Sequence, residues 1–355
     1  MISRRHQISS QVVSVSAPLL IVFLALAMGL LAVLLAGKSP VDAVEAIYKG
    51  AFGNTRSISS TISRMVPMCL VALGWIIAFS TKRVSIGFEG QIIAGGAAAA
   101  YVGLTLNGLP AFVHLPLALI AAVLAGAFWV ALPTFMWARR GVHEIITTLL
   151  MNLIALEMIS WLVRGPLQEA SGTFVRTDPI SANSTWPTII DGTRLHWDAL
   201  MVLVLIVTVA YVLKKTTFGL ALRFVGANPV AACYQGLNST RISVGALLAS
   251  GGFAGLAGSS LILAQPTSTM SATFSGGYGY EGIVVALLAR NNPYAVIPVA
   301  FLFATLRQGS GLLEAKVGVS SAIVTVIMGV IVIGVSVGVL LAEKFNKQQI
   351  AEAAK

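Results

Sequence analysis

QIIAGGAAAAYVGLTLNGLPAFVHLPLALIAAVLAGAFWVALPTFMWA, residues 91–138, contains no Asp, Glu, Lys or Arg. A helix crosses the hydrocarbon of a bilayer with about 20 apolar residues. This run is too long for one crossing, and Asn107, Gly108 and Pro110 divide it, as residues that punctuate helices do. It reads as two successive membrane helices, 91–106 and 111–137. The pattern extends outward, with further charge-free runs at 6–37, 65–81, 199–213, 242–280 and 317–342. Of the 355 residues, 57% are hydrophobic and 10% charged, against roughly 25% charged in a soluble domain. A soluble enzyme, a disordered regulator and a coiled coil are excluded together. The fold class is all-α and polytopic, and residues 1–355 form a single transmembrane domain.

The runs and their breaks give about ten spans: 17–36, 65–80, 91–106, 111–137, 143–163, 198–213, 244–264, 281–290, 294–307 and 320–341. The eighth and ninth are short. The first is longer than the apolar core of a signal peptide and reads as an uncleaved helix. Ten spans put both termini on one side. With the N-terminus inside, the cytoplasmic segments hold 14 of the 23 basic and 4 of the 13 acidic residues, a net +10 inside against 0 outside. That bias predicts an N-in, C-in topology. The largest extracytoplasmic segments are then 37–64, where Ser39-Pro40 starts a short amphipathic helix, and 164–197. The largest cytoplasmic loop is 214–243.

The net charge of +10 does not indicate nucleic acid, because the basic residues fall in ones and twos without a stripe or interleaved aromatics. Cys69 and Cys233 lie too far apart to suggest a disulfide framework or a metal pair. The four histidines occupy separate segments, and no catalytic motif is present. Gly37-Lys38-Ser39 ends like a phosphate-binding loop, but Ala32 stands where its leading glycine belongs. ATP hydrolysis by this chain is not expected, nor is a cofactor or a metal. GxxxG pairs at Gly251/Gly255 and Gly334/Gly338 suit close helix packing within the chain, with a dimer seam as the alternative.

Two acids sit in matching settings, SIGFEGQ at 85–91 and YGYEGI at 278–283, each a glycine, an aromatic, a glutamate and a glycine leading into an apolar helix. The topology puts the two on opposite sides, which suggests an internal inverted repeat built from broken or short helices. Glu89 and Glu281 are read either as lining a pathway or as capping helices at their positive ends. Gln91, Asn152 and Tyr280 join them as pathway candidates, with Thr147 and Thr148 as neighbouring hydrogen-bonding groups. Glu144 begins a helix and reads as structural. Glu157, in an apolar run two turns before Arg164, is either half of an internal pair or a pore-lining group.

At these residues the sequence resembles the permease subunits of bacterial ABC importers of the branched-chain amino acid, ribose and simple-sugar superfamily, the nucleoside and simple-sugar branch above all. The resemblance spans nearly the whole chain. It rests on RVSIGFEGQIIAGG (83–96), GVHEIITTLLMNLIALEMISWLVRGPLQ (141–168), RFVGANPVAACYQGLNSTRIS (223–243) and GYGYEGIVVALLARNNPYAVIP (277–298), in the family's order. Ser85, His143 and Arg290-Asn291-Asn292 depart from the family pattern and bear on the substrate.

The resemblance implies a division of labour. This chain would form the channel in the bacterial inner membrane. Separate ATPase subunits, holding ATP and Mg, would supply energy, and an extracytoplasmic binding protein would capture the solute. A second permease, a paralogue, would complete the channel. The 214–243 segment would be the coupling loop to the ATPase, through Arg223, Gly226, Asn228, Ala231, Ala232, Tyr234 and Gly236. From the residues alone it is a solvated basic loop. The function implied is alternating-access import of nucleosides or simple sugars. The rivals are an ion-coupled secondary transporter using Glu89, Glu157 or Glu281, and, more remotely, a membrane enzyme.

Overall fold

The computed structural model describes residues 27–330 except 32, 107, 265–268 and 321, so the first and tenth expected spans and the Gly334/Gly338 pair lie wholly or largely outside the described residues. The described residues form helices α1 (Pro40–Phe52), α2 (Thr55–Phe79), α3 (Phe88–Thr105), α4 (Ala111–Arg140), α5 (Glu144–Arg164), α6 (Trp197–Lys215), α7 (Thr217–Ala227), α8 (Pro229–Tyr234), α9 (Ser239–Leu263), α10 (Tyr278–Leu288) and α11 (Val296–Val317). Among the described residues, six segments are long and apolar enough to cross a membrane: α2, α4, α5, α6, α9 and Pro293–Val317. Two of the expected spans are of another kind. The 91–106 span is α3, whose first turns carry Glu89 and Gln91, and 281–290 falls in α10, which has 11 residues.

Several boundaries differ from expectation for local reasons. The 65–80 span begins ten residues early, at Thr55, because the polar stretch 55–64 is also helical. Asn54 Oδ1 accepts the Ser57 N–H at 2.8 Å there, and Ser59, Ser60 and Thr61 are buried. Glu314 and Lys316 likewise leave α11 unbroken to Val317. The Gly37-Lys38-Ser39 triplet is a helix start: Ser39 Oγ accepts the Asp42 N–H at 3.3 Å, and Pro40 opens α1.

The chain divides into two compact units. In one, built from Met1–Ile58 and Leu302–Lys355, α1 rests on α11. A Cβ placed on Gly50 would come 3.0 Å from Gly309 Cα. The other unit, Ser59–Phe301, is organised around α3, α4 and α9. Glycine lets their backbones touch: a Cβ on Gly95 would fall 2.3 Å from Gly255 Cα, and one on Gly126 would fall 2.2 Å from Gly251 O. The Gly251/Gly255 pair is therefore spent on packing within the chain. In the apolar windows of α2 and α9, 72% and 78% of residues are buried, against 22% in α4 and α5. Helices α2 and α9 are central, whereas α4 and α5 turn apolar side chains outward.

The loop 165–196 covers the ends of α3 and α9. Ser181 N donates to Gly103 O (3.2 Å) and Trp186 N to Leu263 O (3.0 Å), while Thr177 exchanges two bonds with Met270. Glu169 organises its turn, accepting from Ser171 Oγ, Arg176 Nε and Phe174 N. Those bonds, from Ser171 first and Arg176 next, hold its carboxyl down to about 2.

Candidate functional site

Segments 82–87 and 269–277 are non-helical, apart from turns, and each leads into one of the two glutamate motifs. Irregular backbone inside a membrane protein must find its hydrogen-bond partners within the protein. For the first segment the partners come from one face of α5, at spacing i, i+4, i+8. Glu144 Oε1 accepts Val84 N–H at 3.1 Å, and Thr148 Oγ1 accepts Ile86 N–H at 3.2 Å. Asn152 Oδ1 accepts Gly90 N–H at 2.9 Å, and its Nδ2 donates to Ile86 O at 2.9 Å and to the Tyr280 hydroxyl at 3.1 Å. Asn152 has no solvent exposure. Arg83 lies 3.6 Å from Glu144 and 4.0 Å over the Trp137 ring, which anchors the start of the segment.

For the second segment the partner is Glu89. Its Oε1 accepts Gly277 N–H at 2.9 Å and its Oε2 accepts Gly279 N–H at 2.8 Å. Gly277 is the cap of α10 and adopts φ +83, a left-handed conformation that favours glycine. Glu89, 4% exposed, therefore stands in the first turn of α3 and on the N-terminus of α10 together. Both positive helix ends favour its carboxylate. The fit is close, since a Cβ on Gly279 would meet Glu89 N at 2.5 Å.

The two motifs, expected on opposite sides of the membrane, thus meet at one point. The correction has a simple cause. After α9 ends beside Met270 and the 165–196 loop, the chain turns back along α3, from the level of Gly103 to that of Glu89. At 1.5 Å per residue that is a descent of about 21 Å. Hydropathy records a run of apolar and small residues but not its reversal.

The other candidates are placed as follows. Gln91 is buried at 1% exposure, and among the described residues its Oε1 has no hydrogen-bond partner. Tyr280 is 42% exposed, in contrast to the buried Tyr278 at 4%. Glu281 lies in the first turn of α10. Glu157 is on the outward side of α5 beside the exposed Leu153, Ile154 and Leu156, away from the Asn152 face. Arg164 is outward too, with no ion pair to Glu157 among the described residues. Two features went unread in the sequence. Arg64 Nη1 approaches the Tyr278 hydroxyl at 3.5 Å from the serine-rich half of α2. Asp198, fully buried in the first turn of α6, accepts from Ser260 Oγ at 2.5 Å and so ties α6 to α9. A basic residue inside a polar-faced helix and an acid opening an apolar run were the available signals.

The 214–243 loop folds into α7 and α8. Asn228 caps α8, its Oδ1 accepting Val230 N–H at 3.0 Å and Ala231 N–H at 3.1 Å. Ser239 Oγ closes the far side by donating to Pro229 O at 2.8 Å. Ala232 is buried beneath, and Gly236 turns the chain at φ +79. Arg223, Ala231 and Tyr234 face outward, Tyr234 at 89% exposure beside Val230 at 65%. Gly226 instead faces Ser80, whose carbonyl oxygen would lie 2.1 Å from a Cβ there. Helix α7 is thereby pressed on the chain that runs from α2 into the 82–87 segment. Of the two free cysteines, Cys69 is buried in α2 and Cys233 is exposed in α8. The Ser239 hydroxyl draws the Cys233 thiol below its ordinary value.

Broken helices meeting inside a helical membrane unit, with backbone groups satisfied by buried polar side chains, define a multi-pass membrane protein of the transporter type. The family described as "Branched-chain amino acid transport system / permease component" matches residues 57–336, and the chain belongs to that family. Its members are membrane channel subunits rather than catalytic ones. Relatives include the guanosine ABC transporter permease protein NupP of Bacillus subtilis, 35% identical over 90% of this chain and 92% of that one. The glucose ABC transporter permease protein TsgB13 of Haloferax volcanii is 32% identical over 89% of this chain and 85% of its own. The nucleoside ABC transporter permease protein NupB of Lactococcus lactis is 28% identical over 96% of both.

Proposed function

We propose that this chain is the channel-forming subunit of an ATP-driven importer of nucleosides or simple sugars. It works by alternating access with ten spans, N-in and C-in, and takes its energy from a separate ATPase. The observation that carries this reading is the α7–α8 element: an exposed tip of Val230 and Tyr234 on a braced short helix, with Gly226 seated against Ser80. An ATPase that grips the tip differently in its two nucleotide states moves the 82–90 segment, since only differential affinity shifts such an equilibrium. ATP and Mg belong to that partner, and an extracytoplasmic protein supplies the solute. A second permease covers α5, because Glu157 facing lipid among apolar side chains would be costly.

The rival, a proton-coupled transporter, is disfavoured at two of its three candidate carriers, and Glu281 is left to the experiment below. Both Glu89 oxygens are committed to backbone N–H groups, and Glu157 points away from the site. The deciding experiment is uptake of radiolabelled nucleosides and pentoses with and without the ATPase. Uptake that needs the ATPase and survives a protonophore is expected, with Glu157→Gln and Glu281→Gln near normal. Uptake by this chain alone that collapses with the proton gradient would overturn the reading.

The docking face has its own test. Tyr234→Ala is expected to lower ATPase co-purification at least tenfold while membrane insertion is unchanged. Maleimide should label Cys233 in the isolated permease and be blocked once the ATPase is bound. Labelling that is indifferent to the ATPase would place docking elsewhere. Gly226→Trp is expected to insert and to lose transport by displacing α7 from Ser80.

A further inference from the structure

We propose that Tyr280 is a stacking platform for the base of a nucleoside, so that this site takes heterocyclic glycosides rather than simple sugars. The inference rests on the importer reading above and narrows its substrate class. Three observations converge on it. First, the phenol is tethered: Asn152 Nδ2 donates to its hydroxyl at 3.1 Å. Asn152 is itself fixed, fully buried and bonded to Ile86 O and Gly90 N. A tyrosine pinned at both Cα and hydroxyl has the axis of its ring fixed in place, with only rotation about that axis left. Second, the ring is open. Tyr280 is 42% exposed, while Tyr278 is 4% exposed and Gly279 and Gly282 beside it are buried. Third, it stands where the two broken segments meet, on the helix that Glu89 caps.

An aromatic ring held in position, with its polar end already engaged, offers a planar surface. Every base has a π-face to lay on such a surface, whatever its edge pattern. A free pentose or hexose has none. Stacking without a directional hydrogen bond also suits a pathway that must release its solute. The Gln91 Oε1 on the neighbouring α3, buried and without a partner among the described residues, adds an acceptor in the same region of the fold.

The test uses the complete transporter with its partner permease, ATPase and binding protein. Maximal uptake of tritiated guanosine is measured for Tyr280→Phe, Tyr280→Trp and Tyr280→Leu at matched membrane abundance. Phe and Trp should stay within about threefold of the parent, and Leu should fall about tenfold or more, as loss of one base–aromatic stack does. Equal losses in all three variants would assign Tyr280 a packing role and overturn the proposal, as would full uptake in Leu. An independent measurement needs no variant. In purified permease–ATPase complex without binding protein, 8-azidoadenosine photolysis should label the 277–290 peptide, with guanosine protecting and ribose not. Labelling elsewhere, or equal protection by ribose, overturns the platform. A parent transporter that carries sugars and no nucleoside overturns the platform while leaving the importer reading intact. One that carries neither overturns both.

Discussion

Replacing Gly255 by valine is expected to remove the folded protein from the membrane almost completely. A Cβ at Gly255 would lie 2.1 Å from Ala122 O, 2.9 Å from Ala122 C and 3.3 Å from Gly126 Cα. All three are backbone atoms of α4, so no rotamer change relieves the clash, and α9 has to move away bodily. That shift would open contacts that α9 also makes with α3, where Gly258 meets Ile92 O at 2.1 Å in the same sense. Overpacking alone costs about 1–3 kcal/mol, and here the three-helix contact is lost with it, in a fold whose whole margin is of order 5–15 kcal/mol. Gly245, on the same helix, is the control, because nothing lies within 4 Å of its Cβ position. Gly245→Ala should be neutral or stabilising by up to about 1 kcal/mol, the helix preference of alanine over glycine. Detergent-extracted protein followed by size-exclusion fluorescence and thermal unfolding reads both variants. A well-folded Gly255→Val would show that the α3–α4–α9 contact is not what holds the unit.

Glu89→Ala is expected to reduce transport at least a hundredfold while the chain still inserts. The substitution leaves the N–H groups of half-buried Gly277 and buried Gly279 without acceptors, at up to about 1–3 kcal/mol for each unsatisfied donor, and vacates the side-chain volume between α3 and α10. Helix α10 then loses the tie that fixes its start, and Tyr280 goes with it. Glu89→Gln keeps one acceptor but turns an NH2 toward the other N–H, so it should be nearly as damaging. Glu89→Asp is one methylene short of spanning both donors. Uptake assayed beside protease sensitivity of the 269–277 segment separates a loosened clamp from a lost fold. Normal uptake in Glu89→Gln would show that the clamp is dispensable.

Much of the fold was legible because a bilayer imposes a length and a polarity on each crossing. Eight of the expected spans coincide with described helices, and the Asn107–Pro110 break and the Ser39-Pro40 helix start stand where the sequence put them. Glu89, Asn152 and Tyr280 could be singled out as polar residues in apolar settings. Their joint arrangement could not, because the separations, 62 residues from Gly90 to Asn152 and 190 from Glu89 to Gly279, carry no local signal. Glu157 shows the converse. It had the same sequence-level mark, an acid among apolar residues, but the helix rotation that buries Asn152 turns Glu157 outward. Gly226, placed in the coupling loop by the resemblance, uses its smallness against Ser80 of this chain.

The sequence by itself determined that the chain is a helical membrane protein of this permease family. It also determined where most helices run. The spans follow from composition and spacing within about 20 residues, and the family from the resemblance of four motifs. Tertiary structure alone decided that the two glutamate motifs converge, and that one face of α5 satisfies the backbone of the 84–90 segment. It also decided that Gly251 and Gly255 are used inside the chain. Each of these depends on which backbone groups come within hydrogen-bond or van der Waals reach. That is set by close packing of distant segments, and side-chain type alone does not specify it.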